Sequence, residues 1–134
     1  MGFHVFSGCD MTGKFAGISK ETCFKKFIDA DDQILDAFAD LGNQNELPDE
    51  NSIKNLERFV CMLYNAKKFD KVNELRWNLY SRKQAEGENL PPTKGALLEH
   101  IKLAHYVSLV YKKTLQAYKI FLDQKILVGL LMKN

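Results

Sequence analysis

The stretch that decides the fold is Thr93-Lys-Gly-Ala-Leu-Leu-Glu-His-Ile-Lys-Leu-Ala-His-Tyr-Val-Ser-Leu-Val-Tyr-Lys-Lys-Thr-Leu-Gln-Ala-Tyr-Lys-Ile-Phe-Leu122. Pro91 and Pro92 precede it, and Thr93 is suited to cap a helix start. Its apolar residues recur at alternating steps of four and three, interrupted only by Ser108: Leu97, Ile101, Ala104, Tyr111, Leu115, Tyr118 and Leu122. The spacing predicts a long helix whose stripe packs on the two helices before it. A coiled-coil seam for a partner helix is the alternative.

Four shorter helices are predicted upstream, each from an apolar stripe of helical period. The first starts at Ser19, the second stops at Gly42, the third begins near Ser52, and the fourth is capped by Asp70 and ends in the loop from Gln84 to Asn89. Their stripes are, in order, Phe24, Phe27 and Ile28; Ile34, Leu35, Phe38 and Leu41; Ile53, Leu56, Phe59, Val60 and Leu63; and Val72, Leu75, Leu79 and Tyr80. Because strand-like alternation is absent, we expect an all-α fold of about five helices.

The positions of glycine, proline and polar loop residues divide the chain into three segments. Residues 1–42 hold a Gly-Cys-Asp turn and a segment like a helix-hairpin-helix, residues 52–122 form a helical bundle, and residues 123–134 are an apolar tail. A polar loop with one proline, residues 43–51, separates the first two. The seven-residue apolar run Ile126–Met132 is shorter than the roughly 17 residues that a membrane span needs. We therefore expect it to pack on the body, on a second copy or on the missing half of a longer parent protein.

Composition limits the classes of function. The 134 residues suffice for one modest domain. The net charge of +2, from 19 basic and 17 acidic residues, does not suggest a general polyanion binder, so any contact with nucleic acid needs a local basic patch. Three cysteines without a Cys-x-x-Cys spacing favour buried thiols over disulfides or zinc. With no signal peptide at Met1–Gly8, the expected location is intracellular and soluble, with the nucleus left open.

Unusual residue types are densest between Phe3 and Lys20. The apolar run Phe3–Phe6 reads as the last turn of a helix closed by Gly8, which would leave Asp10 at the helix end. Glycines ahead of a helix start allow backbone N–H groups to face an anion, and the helix dipole favours negative charge there. Gly13 and Gly17 lie before the helix that opens at Ser19 and Lys20, with Lys14 nearby. The segment is a candidate phosphate-binding turn, although glycine turns before helices are common.

The chain also resembles a known superfamily, the flap-endonuclease and PIN-like nucleases, through Gly8-Cys-Asp10 followed by Gly17-Ile-Ser-Lys20-Glu-Thr22. The similarity is greatest to the transposon-associated PIN-like branch, and it covers roughly residues 3 to 118. The motifs occur in the expected order: His4-Val-Phe-Ser-Gly-Cys-Asp10-Met-Thr, Phe59-Val-Cys-Met-Leu-Tyr64, Val72-Asn-Glu-Leu-Arg76, Leu90-Pro-Pro-Thr93, Ala96-Leu97, His100-Ile-Lys102 and Ala104-His-Tyr106.

The resemblance implies a helical C-terminal part of a PIN-like fold that lacks its parallel sheet. It implies that Asp10 is one ligand of Mg²⁺ or Mn²⁺ in the parent family, and that Gly17, Ser19 and Lys20 line a DNA-phosphate turn. Two departures stand out: Met11 replaces the usual Thr, and the turn lacks its second glycine. The end of the chain also lacks the family's Pro-rich segment.

Catalysis by this chain alone is not expected. A two-metal site needs several converging carboxylates, and no acidic residue precedes Asp10, so tight metal binding is not expected either. The row Asp32, Asp36 and Asp40 is interpreted as a solvated helix face. His100 and His105, five residues apart, are interpreted as packed or surface histidines and not as metal ligands, and His4 is the only histidine near the candidate site.

Two functions therefore stand side by side. The leading hypothesis is a nuclease-derived helical fragment that touches DNA phosphates without reading sequence. The alternative is a helical interaction module with no nucleic-acid role, which self-associates or binds another helix through the fifth helix and the tail. Neither hypothesis involves a membrane.

Overall fold

Six helices make up the structure, a computed structural model that describes residues 1–8, 15–66, 68–82 and 89–132. They are α1 (Gly2–Phe6), α2 (Lys20–Ile28), α3 (Asp32–Asp40), α4 (Glu50–Leu63), α5 (Val72–Ser81) and α6 (Lys94–Leu131). No strand occurs among these residues, so the predicted all-α class is confirmed. The additional helix is α1, which the sequence indicated only as a helical turn ahead of Gly8.

Two predicted helix starts are confirmed by their caps. The side chain of Ser19 accepts a hydrogen bond from the Thr22 N–H at 3.1 Å. The hydroxyl of Thr93 accepts from the Ala96 N–H at 3.2 Å at the start of α6. Each cap satisfies a backbone donor that has no partner within its helix, which fixes where the helix begins.

Two other helix starts differ from the prediction. Helix α4 begins at Glu50, because the Asp49 carboxylate accepts from the Ser52 N–H at 2.8 Å and places Ser52 inside the first turn. Helix α5 begins after Lys71, which makes no side-chain cap, so the prediction that Asp70 caps this helix is wrong.

The core surrounds α4, which packs against α2, α3, α5 and α6. The predicted stripe of this helix is confirmed, since Leu56, Phe59, Val60 and Leu63 are buried. Phenylalanine rings from several helices meet above it: the Phe38 and Phe59 centroids lie 4.9 Å apart edge to face, and Phe3 stacks on Phe27 at 4.2 Å. Such pairs stabilise a core beyond the area that they bury.

Parts of two predicted stripes are exposed. On α2, Phe24 and Ile28 face outward, and Cys23 takes the buried position instead. On α5, Tyr80 is exposed while Val72 and Leu75 are buried. Both helices are short and contact the body along one narrow face, so their stripes are wider than the surface that covers them.

Helix α6 divides into two halves. Leu97, Ile101 and Ala104 are buried, mainly against α1 and to a lesser extent against α4. The prediction that the two preceding helices cover this stripe is therefore only partly right, because α1 takes the main place. Beyond Tyr111 no described residue of the helix is buried, and the helix continues without a break into the segment predicted as a tail.

Gly42 brings the end of the α3 segment against α6. Its φ of +75° is the left-handed conformation that favours glycine, and a Cβ there would lie 2.4 Å from the Cβ of Ser108. The Gly42 N–H donates to Nδ1 of the buried His105 at 2.9 Å. Gly42 therefore both follows the end of α3, as predicted, and lies where this segment crosses α6.

Candidate functional site

The described part of the predicted phosphate turn is held firmly against the body. Phe15 is buried, and its carbonyl accepts from the Ile18 N–H at 3.1 Å. The hydroxyl of Tyr64, at the end of α4, donates to the Ala16 carbonyl at 3.0 Å. Burial raises the pKa of Tyr64 to about 12, so the hydroxyl keeps its proton and remains a donor.

Three of the predicted contact residues come together in this turn. Gly17 is exposed with φ +72°, and a Cβ on it would meet no atom within 4 Å. Ser19 caps α2, and Lys20 is the first residue of that helix. The other two predicted residues, the metal ligand Asp10 and the phosphate contact Lys14, lie outside the described residues.

Lys20 ties the start of α2 to the end of α1. Its ammonium group donates to the Gly8 carbonyl at 3.1 Å and lies 2.9 Å from Nδ1 of His4. A cation is favoured at this place, because the last carbonyls of a helix carry partial negative charge. Sequence reasoning missed this contact, because residues 12 and 16 positions apart show no periodic signal. Lys20 thus has a structural role beside any contact with a phosphate.

The row of aspartates on α3 is exposed, as predicted. Asp32 and Asp36 face solvent, and Asp40 accepts a hydrogen bond from the Ser52 hydroxyl at 2.6 Å. Among the residues that the structure describes, no three His, Cys, Asp or Glu side chains gather in a way that could hold a metal ion.

The two histidines of α6 serve packing, which is one of the two roles predicted for them. Nε2 of His100 lies 2.7 Å from the Phe6 carbonyl, so the protonated nitrogen donates to the last turn of α1. Burial lowers the pKa of His100, although its hydrogen bond to Phe6 acts in the opposite direction. His105 is buried and accepts from Gly42.

The two described cysteines are buried and poorly suited to nucleophilic chemistry. Desolvation raises the pKa of Cys23 to about 11 and that of Cys61 to about 12. Because the thiolate is the reactive form, both thiols are unreactive at neutral pH. Cys9 lies outside the described residues.

An extended apolar surface belongs to residues Lys112–Leu131 of α6 together with the C-cap Met132, and this stretch is called here the projecting segment. Its large apolar side chains range from 39% exposed at Leu122 to 80% at Met132. They are Leu115, Tyr118, Ile120, Phe121, Leu122, Ile126, Leu127, Val128, Leu130, Leu131 and Met132. From Ile126 to Met132 every residue except Gly129 has a large apolar side chain, so apolar side chains occur on every side of the helix.

Comparisons with known proteins add no relative. No protein-family model matches the chain, and neither does any curated protein or solved structure. Within the described ranges, no helix combines the length and the apolar character needed to cross a membrane. In its described residues the chain is an all-α protein with one helix that extends beyond the core.

Proposed function

We propose that this protein is a helical interaction module that binds through the projecting segment. The observation that carries the proposal is the exposure of the apolar side chains between Leu115 and Met132. A helix that is apolar on every side is normally buried, and exposed apolar surface beyond a few hundred Å² marks interaction sites. The segment belongs to a helix of 38 residues whose first half is anchored in the core, so the body presents it as a preformed surface.

A pair of matched variants tests this proposal. Leu127→Gln with Leu130→Gln removes apolar surface from the projecting segment, whereas Phe24→Gln with Ile28→Gln removes similarly exposed surface from α2. The first pair should lower the average mass in sedimentation velocity toward that of a monomer, as should truncation after Gln124. The α2 pair should leave the sedimentation unchanged.

Two outcomes would contradict the proposal. One is identical sedimentation of the full-length and truncated chains as monomers. The other is an equal loss of association from both double variants, since that would mean general apolar adhesion without a defined surface.

As a second candidate, we propose a nuclease-derived helical fragment that touches DNA phosphates through the turn at Gly17. Two features support it: the order of the PIN-like motifs in the sequence, and the exposure of Gly17 in a turn pinned by Tyr64. An open glycine ahead of a helix start permits close approach of a phosphate to the backbone. Such a contact reads no bases, so binding should be independent of sequence and should weaken steeply with salt.

Fluorescence anisotropy with a labelled duplex at low and moderate salt tests the second candidate. Lys14→Glu with Lys20→Glu should remove most of the binding, and Lys112→Glu with Lys113→Glu should matter less. Because Lys20 also donates a hydrogen bond to the Gly8 carbonyl, a loss of binding must be separated from a loss of folding. The control is Lys20→Gln, whose unfolding midpoint should equal that of the wild type. Equal losses from both double variants, or no binding at low salt, would rule out a specific turn.

This second candidate includes no catalysis by the chain alone. A single Asp10 cannot supply the several carboxylates that a pair of Mg²⁺ or Mn²⁺ ions requires. Flap, nicked and single-stranded DNA should therefore survive incubation with the chain and either ion. Cleavage that disappears in Asp10→Asn would overturn this expectation.

A further inference from the structure

An apolar cleft opens beside the root of the projecting segment. Its volume is about 270 Å³, and α1, α2 and α3 supply its walls. Phe3, Phe27, Leu35 and Phe38 line it, and Lys112, the first residue of the projecting segment, stands at its edge. No described residue fills this apolar cleft or covers the apolar helix tip, and the two lie at opposite ends of the same segment.

We infer that the partner of the projecting segment is a second copy of this chain, aligned antiparallel, with the tip of each copy seated in the cleft of the other. This inference rests on the proposed interaction-module function and adds the identity and the direction of the partner. The tip is defined as residues Ile126–Met132.

Helix geometry matches this arrangement. Nineteen residues separate Lys112 from Leu131, which at 1.5 Å per residue gives a rise of roughly 28 Å. The tip therefore lies too far from its own cleft to fill it. When the tip of one copy is level with the root of the other, the two-fold axis passes near Phe121 and Leu122. The same contact then forms twice, as a closed dimer requires.

The tip also needs more than one covering surface. A single partner helix covers one side of a helix, yet apolar residues surround the tip between Ile126 and Met132. In the antiparallel arrangement the partner's helix covers one side and the partner's cleft provides a second surface. A parallel pair would leave both tips together, away from both bodies.

The charges of the segment favour the same direction. Lys125 continues the four-three spacing of Leu115, Tyr118 and Leu122, so it lies on the seam. In a parallel pair the two Lys125 side chains would face each other, which costs free energy through like-charge repulsion. About the proposed axis they are separated by roughly 10 Å of rise, and each lies opposite Tyr118.

The extent of the surface suits a stable dimer. A typical specific interface takes about 20 to 30 residues from each partner. Roughly half of the 21 residues from Lys112 to Met132 can face a partner at once, and the eight further residues that line the cleft bring the share of each copy close to that number. A second copy can therefore cover one side of the projecting segment together with the tip, without any other partner.

Photo-crosslinking of the full-length chain tests the direction. A photoreactive phenylalanine derivative replaces Leu130, and the dimer band is digested and its linked peptides are identified by mass spectrometry. Links from position 130 to residues 1–3 or 35–41 are expected, and the length of the segment makes them intermolecular. Links confined to the partner's tip, or to any other part of the chain, would overturn the inference while leaving an association through the projecting segment intact. A chain that stays monomeric at every concentration would overturn both.

A cleft variant with a matched control supplies a second readout. Ala39 is exposed and lines the cleft. Ala96 is also exposed, but it lies in the first turn of α6 and is not among the residues that line the cleft. Ala39→Lys should raise the dimer dissociation constant at least tenfold in sedimentation equilibrium, because it places a charge where the tip must pack. Ala96→Lys should leave the constant unchanged. Equal dimer dissociation constants for the two variants would show that the tip does not bind in the cleft.

Discussion

The two halves of α6 share one sequence pattern and have opposite surroundings. Residues 94–111 pack Leu97, Ile101 and Ala104 into the core, while the projecting segment continues the same four-three spacing with side chains such as Leu115 and Tyr118 in solvent. The difference lies in what stands opposite each half. The first half faces α1 and α4, and no described helix of the same chain extends far enough to face the second.

This contrast shows what an amphipathic stripe does and does not specify. Periodicity specifies which side of a helix must be covered, and that requirement is local. Whether the cover comes from the same chain or from another depends on where the other helices end.

The largest effect is expected from shortening a side chain in the packed half. Leu97→Ala should lower the free energy of unfolding by about 3 kcal/mol, because a fully buried leucine leaves a cavity. Leu122→Ala should lower it by less than about 0.5 kcal/mol, as is usual for an exposed site. Urea unfolding at low protein concentration, in a chain truncated after Gln124, measures both without contributions from association. Similar losses at the two sites would mean that the projecting segment is packed in the monomer.

Two glycines should respond to alanine in opposite directions. Gly42→Ala should destabilise by about 2 kcal/mol or more, because the left-handed backbone disfavours a side chain and the new Cβ would overlap Ser108. Gly129→Ala should stabilise the projecting helix by up to about 1 kcal/mol, since a Cβ there meets no atom within 4 Å. Thermal unfolding monitored by circular dichroism measures both. A neutral Gly42→Ala would contradict the close crossing of this loop over α6.

Replacing two buried serines by alanine should change the stability differently, because only one of the two hydroxyls has a hydrogen-bond partner among the described residues. Ser52→Ala should lower stability by about 1 kcal/mol, because it removes the 2.6 Å hydrogen bond to Asp40. Ser108→Ala, on the packed half of α6, should be neutral or slightly stabilising, since that hydroxyl has no hydrogen-bond partner in the described part of the chain. Chemical denaturation of the two variants side by side decides. A clear loss in Ser108→Ala would show that this hydroxyl does have a partner.

The smallest effect is a pH dependence from His100. Its pKa is lowered in the folded state by burial, so folding favours the neutral ring. The stability from this residue is fully present above the unfolded value of about 6.5 and is lost as the pH falls through the folded pKa. Stability measured between pH 7 and pH 5 should therefore decline less in His100→Gln than in the wild type. Leu122→Ala, in the projecting segment, should keep the wild-type slope. Identical slopes for His100→Gln and the wild type would contradict the burial effect.

Much of the fold follows from local signals in the sequence. The caps at Ser19 and Thr93, the stop at Gly42 and the stripe of α4 all depend on residues within one or two turns of each other. Helix α1 has only five residues, which are too few to show a helical period in the sequence. Without a recognisable α1, the sequence predicts the two preceding helices as the main partners of α6.

The candidate sites were less predictable, for a different physical reason. The bond from Lys20 to Gly8, the contact of His100 with Phe6 and the pinning of Ala16 by Tyr64 join residues far apart in the chain. None of these contacts leaves a periodic pattern. The apolar tail, in contrast, was visible as a run of residues, but its position on an uncovered helix depended on where the body ends.

Hydrogen exchange measured by mass spectrometry at two protein concentrations tests the central claim most directly. At high dilution, amides of residues 94–111 should be protected while those of residues 115–131 exchange much faster, because only the first half of α6 is anchored in the core. At a concentration where the dimer dominates, protection should rise at least tenfold in the projecting segment and around residues 35–41, and stay unchanged in residues 94–111. Protection of the projecting segment that does not depend on concentration would contradict the claim that a second copy covers it.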